Sequence, residues 1–145
     1  MCNAAICTVN QSAAALALAA NGAPVSVPLG TVQAECNQCG CDKALSLVGN
    51  GIALGRRGLY EIEANVTVTA TAAGVLTFWL LKDGVPVTGA QSANTVSAGG
   101  TVTVPVGRVV SNKCCEPGSV VTVAVSSTTA NTVTVNNVTV DAVKL

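Results

Sequence analysis

Seven cysteines are the side chains with the widest chemistry in this 145-residue chain. Cys2 and Cys7 lie near the amino terminus, Cys36, Cys39 and Cys41 spell C-x-x-C-x-C, and Cys114 and Cys115 are adjacent. Three readings fit this spacing. In the first, the sulfurs are plain thiols or cross-links, with Cys2 and Cys7 reaching another chain; seven is odd, so at least one is free or bonded outside its own chain. In the second, Cys36, Cys39 and Cys41 join one of Cys114 and Cys115 to give four thiolates for Zn²⁺, because C-x-x-C is a zinc-ligand spacing. The third, dithiol redox chemistry, fails on context: such a motif opens a helix beside a parallel sheet, and neither is expected here. Cross-links or thiols stand first and zinc second; no other cofactor is expected.

The carboxylates offer one further arrangement. Glu61 and Glu63 fall on one face of a strand, about 7 Å apart, within the separations that glycosidases use. A solvated strand face explains the same spacing, and the only rings, Tyr60, Phe78 and Trp79, sit in apolar stretches rather than as sugar platforms. Histidine is absent, which excludes every scheme with an imidazole base. Arg56 and Arg57 either pair with those glutamates or reach solvent. Asp42, Asp83, Glu116 and Asp141 are too scattered for a calcium loop. Asn65-Val66-Thr67 and Asn137-Val138-Thr139 match the glycosylation pattern, which Thr-rich strands generate by chance. Gly49-Asn50-Gly51 and Gly99-Gly100 are turns rather than phosphate cradles, since no helix follows either. With no convergent acid, base and nucleophile, no catalytic residue is assigned and the chain is not expected to be an enzyme.

Seven basic against seven acidic side chains, 10% charged in all, leave nothing to steer nucleic acid or anionic lipid. The apolar run Ala13 to Ala20 lacks the basic segment that a secretory signal needs. The uncharged stretches 64–81, 84–107 and 117–140 are interrupted by Thr, Ser, Asn or Gly every few positions, so no membrane span is expected. The length fits one domain with its own core.

Two-residue alternation organises almost everything else. From Gly58, the residues Tyr60, Ile62, Ala64, Val66, Val68 and Ala70 fall on one side, and Glu61, Glu63, Asn65, Thr67, Thr69 and Thr71 on the other, as in a half-buried strand. Thr101 to Val106 and Val120 to Val125 repeat the theme in Val and Thr, which suit a pleated surface. Ala13 to Ala20, then Asn21-Gly22, then Val25 and Val27 read as a hairpin with Pro24 and Pro28 on an edge strand. Val75 to Leu81 is apolar on both faces, and Asp83-Gly84 turns it back into Val85 to Val87. One face of that run carries Phe78 with Leu76 and Leu80; the other carries Trp79 with Val75 and Leu81, and must meet a loop or a neighbouring subunit. In the last third the apolar phase slips at Asn136-Asn137, which is either a bulge or a turn. Many short strands with turns about every ten residues define an antiparallel all-β sandwich.

The order Gly58-Leu59-Tyr60-Glu61-Ile62, VLTFWLLKDGVPVTGA, GGTVTVPV, EPGSVVTVAV and the closing VTVDAVKL resembles the tumour necrosis factor-like jelly roll, shared with complement globular heads. It is closer in flavour to the small bacterial and bacteriophage surface proteins of that group. The resemblance covers roughly residues 44–145. It implies a two-sheet jelly roll over 12–145 behind a short Cys-containing arm at 1–11, and a homotrimer with a display role. It makes Trp79, Leu81 and Tyr60 the candidate interface residues. The expected setting is a virion surface, as a decoration or fibre protein among other virion proteins. The alternatives are a spore or cell surface, or a head that binds a host glycan or protein through Gly89 to Gly99 and Ser126 to Asn131. Neutral hydroxyl faces are cheap to desolvate, and scarce charge leaves strand edges unguarded; both favour self-association.

Overall fold

The computed structural model describes residues 3–37, 43–113 and 118–145. Cys2, Cys39, Cys41, Cys114 and Cys115, and with them Asp42 and Glu116, lie outside the described residues. In chain order the strands are β1 (Ala4–Asn10), β2 (Ala14–Leu18), β3 (Val25–Ser26), β4 (Thr31–Asn37), β5 (Leu45–Val48), β6 (Gly51–Leu54), β7 (Gly58–Ala70), β8 (Gly74–Lys82), β9 (Val85–Val96), β10 (Thr101–Asn112), β11 (Ser119–Ser127) and β12 (Asn131–Lys144). Among the described residues no helix is long and apolar enough to cross a membrane.

The strands form two antiparallel sheets, ordered β10-β7-β12-β1-β4 and β5-β6-β11-β8-β9. Two short strands fill the remaining edges: β2 pairs with β12 beyond the end of β1, and β3 pairs with β11 beyond the end of β6. The antiparallel sandwich read from the alternation, and the jelly roll that the resemblance implies, are therefore the architecture. The inner faces are the residues that the alternation assigned. Tyr60, Ile62, Ala64, Val66, Val68 and Ala70 of β7 are all buried, and Leu76, Phe78 and Leu80 of β8 face them across the core. Each large aliphatic or aromatic side chain enclosed in this way contributes about 1.5–3 kcal/mol.

Local details follow from turn chemistry. Asp83 and Gly84 both take positive φ, 51° and 79°, as a tight hairpin twisted to match its strands requires. The Asp83 carboxylate accepts the Val120 N–H at 2.9 Å, which ties the turn to β11. The phase slip in β12 is a bulge: its register against β7 jumps between Val135 and Asn137, and the strand continues to Lys144.

Several expectations are corrected. Residues 14–27 do not form a hairpin. β2 joins β12 in one sheet and β3 joins β11 in the other, and the Asn21-Gly22 turn, held by Asn21 N–H to Ser127 O at 2.8 Å, carries the chain between them. The Ala-Asn-Gly segment cannot close a two-residue turn on strands that both have a better partner elsewhere. The amino-terminal arm is built into a sheet as β1, between β12 and β4, because Ala4, Ile6 and Thr8 alternate inward and are buried. Gly89 to Val96 is strand rather than loop, and the turn after it is confined to residues 97–100. Ser126 and Ser127 end β11 and Asn131 starts β12, so that turn also shrinks, to 128–130.

Candidate functional site

The outer face of the first sheet carries two rows of residues set by register. One row runs Val109, Glu61, Val143, Ala5, Cys36 across β10, β7, β12, β1 and β4. The next runs Gly107, Glu63, Asp141, Cys7, Ala34. Glu61 and Glu63 share this exposed face, as their alternation required, and Asp141 joins them from β12. Glu63 and Asp141 are direct cross-strand partners, a like-charge pair whose Cβ atoms in such a register lie about 5 Å apart and which destabilises the isolated sheet. Around them Leu59, Val109 and Val143 are 43–49% exposed, and Leu145 follows at the strand end. The far end of the same face is neutral: the hydroxyls of Thr67 and Thr103 hydrogen-bond at 2.9 Å, those of Thr69 and Thr101 at 2.8 Å.

Cys7 donates its S–H to Asp141 Oδ1 at 2.6 Å. That bond to a carboxylate, then partial burial, push the thiol pKa up, so Cys7 stays protonated at neutral pH. Cys36 is exposed at the end of β4, and both sulfurs are free thiols. They lie on diagonal positions of paired strands, about 7–8 Å apart, beyond the Cα separation that a disulfide spans. Among the described residues no three of His, Cys, Asp and Glu are grouped so as to hold a metal ion. Of the zinc set considered from sequence, Cys36 alone is in view.

A groove of about 390 Å³ lies where the two edge strands β9 and β10 run side by side. It is lined by Lys82, Val85, Pro86, Val87, Thr88 and Arg108, and by Val109, Val110 and Ser111 further along β10. Lys82 donates to the Ser111 carbonyl at 2.7 Å, linking the sheets at the groove's floor. Arg108 lies over Gly89, where a Cβ would come within 3.1 Å of its Cζ; the bare backbone is what gives the guanidinium its seat.

The three interface candidates fall in different places. Tyr60 is wholly buried, its hydroxyl donating to the Arg56 carbonyl at 2.6 Å, so it presents no surface to a neighbour. Burial pushes its phenol pKa up. Trp79 is half-buried on the outer face of the second sheet, beside its cross-strand partner Ala124, and its indole N–H donates to Ser126 Oγ at 2.9 Å. Leu81, next along that face, is nearly covered. The apolar second face of β8 is thus covered largely by its own chain. Asp141 and Arg108 went unnoticed in the sequence as members of a surface. Their neighbours come from strands far apart in the chain, and no local pattern marks them.

No family model matches this chain, and no curated protein is similar to it in sequence. Solved structures are similar in fold. Murine APRIL, at pH 5.0, matches with a TM-score of 0.64 and 10% identity, covering 99% of this chain and 99% of that one. Vertex protein P5 of phage PRD1 matches at 0.60 and 15% identity, covering 100% and 99%. The globular domain of zebrafish complement 1qA matches at 0.59 and 10% identity, covering 94% of each. The chain therefore has the tumour necrosis factor-like jelly-roll fold, as these three proteins do.

Proposed function

We propose that this chain is a non-enzymatic structural protein that assembles as a homotrimer and is displayed on a virion surface, beside other virion proteins. The observation that carries the reading is the outer face of the first sheet. Four of its large apolar side chains, Leu59, Val109, Val143 and Leu145, are open to solvent at one end, in a chain whose other large apolar residues are mostly buried. Exposed apolar side chains gathered at one end of a sheet face, here around Glu61, favour a contact surface. Virion display is supported by full-length agreement in fold with a phage vertex protein. Light scattering coupled to size exclusion tests the assembly. A trimer of 14.3 kDa chains gives a mass of about 43 kDa at micromolar concentration; a stable monomer there ends the reading.

A further inference from the structure

The two sheets differ in charge. The strands of the first carry Glu35, Glu61, Glu63, Arg108, Asp141 and Lys144. Those of the second carry one charged residue, Lys82, at the end of β8, and its ammonium donates to the Ser111 carbonyl. On the neutral outer face of this second sheet lies Trp79, the one tryptophan of the chain. Tyr60 and Phe78 are in the core, and the alternation along β8 turns Trp79 alone outward. Its indole N–H is satisfied by Ser126 Oγ on the neighbouring strand β11, which draws the ring sideways across the sheet instead of letting it stand off. Its cross-strand partner on that side, Ala124, is fully buried. On the other side β9 sets Gln91 directly opposite Trp79, and Ala93 opposite Thr77; Gln91 and Ala93 are both exposed. The Gln91 amide makes no hydrogen bond with any described residue.

We infer that Trp79 and Gln91 form a binding platform for a neutral saccharide on the outer face of the second sheet. The chemistry of the face selects this class. A pyranose has a face of C–H groups that an aromatic ring covers, and a rim of hydroxyls that neutral donors and acceptors satisfy. Here the ring is held in one orientation, a free amide with both donor and acceptor stands beside it, and the Thr77 hydroxyl belongs to the next row. The short side chain of Ala93 leaves room on the β9 side. A carboxylate or phosphate ligand would find no cation at these positions, and a quaternary ammonium would find neither a second ring nor an acid. A ring already pinned by its own hydrogen bond loses little freedom on binding, which favours a small ligand with few contacts. Because Leu59, Val109 and Val143 are on the other sheet, this site does not rest on the assembly proposed above.

With a single tryptophan, the indole N–H resonance of the protein reports this site alone. The probes are the methyl glycosides of glucose, galactose, mannose and N-acetylglucosamine, titrated to millimolar concentration and followed by NMR. At least one is expected to shift the Trp79 resonance saturably and to receive saturation transfer at its ring C–H protons. Gln91→Ala, at an exposed position, is expected to weaken that glycoside about fivefold, and Trp79→Ala at least tenfold. Circular dichroism with thermal unfolding establishes that each variant is folded; if Trp79→Ala is not, Gln91→Ala decides. No shift with any of the four glycosides overturns the proposal. So does binding that leaves the Trp79 resonance unmoved, or binding that the folded variants retain at wild-type strength. A shift produced only by the control ligands, an anionic sugar and choline, overturns the assignment of a neutral ligand.

Discussion

Cys7 and Cys36 lie on one sheet face in different settings. The Asp141 carboxylate accepts the Cys7 proton and repels the thiolate, while Cys36 stands in solvent at the end of its strand. At pH 7.5 a maleimide is expected to label Cys36 well before Cys7, as read by peptide mass spectrometry, and Asp141→Asn to narrow the gap by freeing the Cys7 thiolate. Tyr60 gives a second residue-scale outcome. Its hydrogen bond to the Arg56 carbonyl contributes about 1 kcal/mol, so Tyr60→Phe should lower stability by that order. Its pKa in the folded protein is raised above the ordinary 10, so the folded state holds a proton that the unfolded state releases. The stability this provides is complete below pH 10 and is lost as pH climbs through the higher folded value. Denaturant titrations between pH 8 and 11 should fall more steeply for the wild-type protein than for Tyr60→Phe.

The strands are fixed by alternation and the turns by a few special residues. Asn131, nearly buried at the head of β12, accepts the N–H groups of Thr71 and Ala72 at 3.1 Å each and donates to the Ala72 carbonyl at 2.8 Å, closing the end of β7. Asn131→Ala removes the side-chain partner of the Ala72 N–H and carbonyl, while the Thr71 N–H keeps the Thr132 carbonyl at 3.2 Å, and should cost about 2 kcal/mol in chemical denaturation. Gly84→Ala adds a Cβ that meets nothing within 4 Å, so its expected cost of about 1 kcal/mol is purely that of holding φ near +79°. These elements also mark how far the sequence could be read. β7 and the Asp83-Gly84 hairpin were legible because period and turn chemistry are local. The partition of β2 and β3 between sheets was not, since it depends on the open edges of β11 and β12, strands about a hundred residues downstream. The Glu61/Glu63 face was legible for the same local reason as β7. Its completion by Asp141 was hidden in a register between β7 and β12 that no short window contains.

At the scale of the molecule, the pairing that holds the first sheet together joins the beginning of the chain to its end: β1 lies against β12, and Ile6 is in the core. An arm outside the fold would be dispensable. β1 is not, so a protein lacking residues 1–10 should lose its cooperative thermal transition or precipitate, because removal opens the edge of β12 and a hole in the apolar interior. Such long-range pairing also predicts slow folding, on the millisecond-to-second scale by stopped-flow fluorescence of Trp79. The same adjacency has a topological consequence. Ala5 and Val143 are cross-strand neighbours, about 5 Å apart, so a short linker could join β12 to β1 and the chain could be opened at Gly99-Gly100, where the turn faces outward. A circularly permuted protein of that kind would keep every strand pair, and any cargo fused at the opened turn would project from the end of β7 opposite to the one beside Ala5 and Val143.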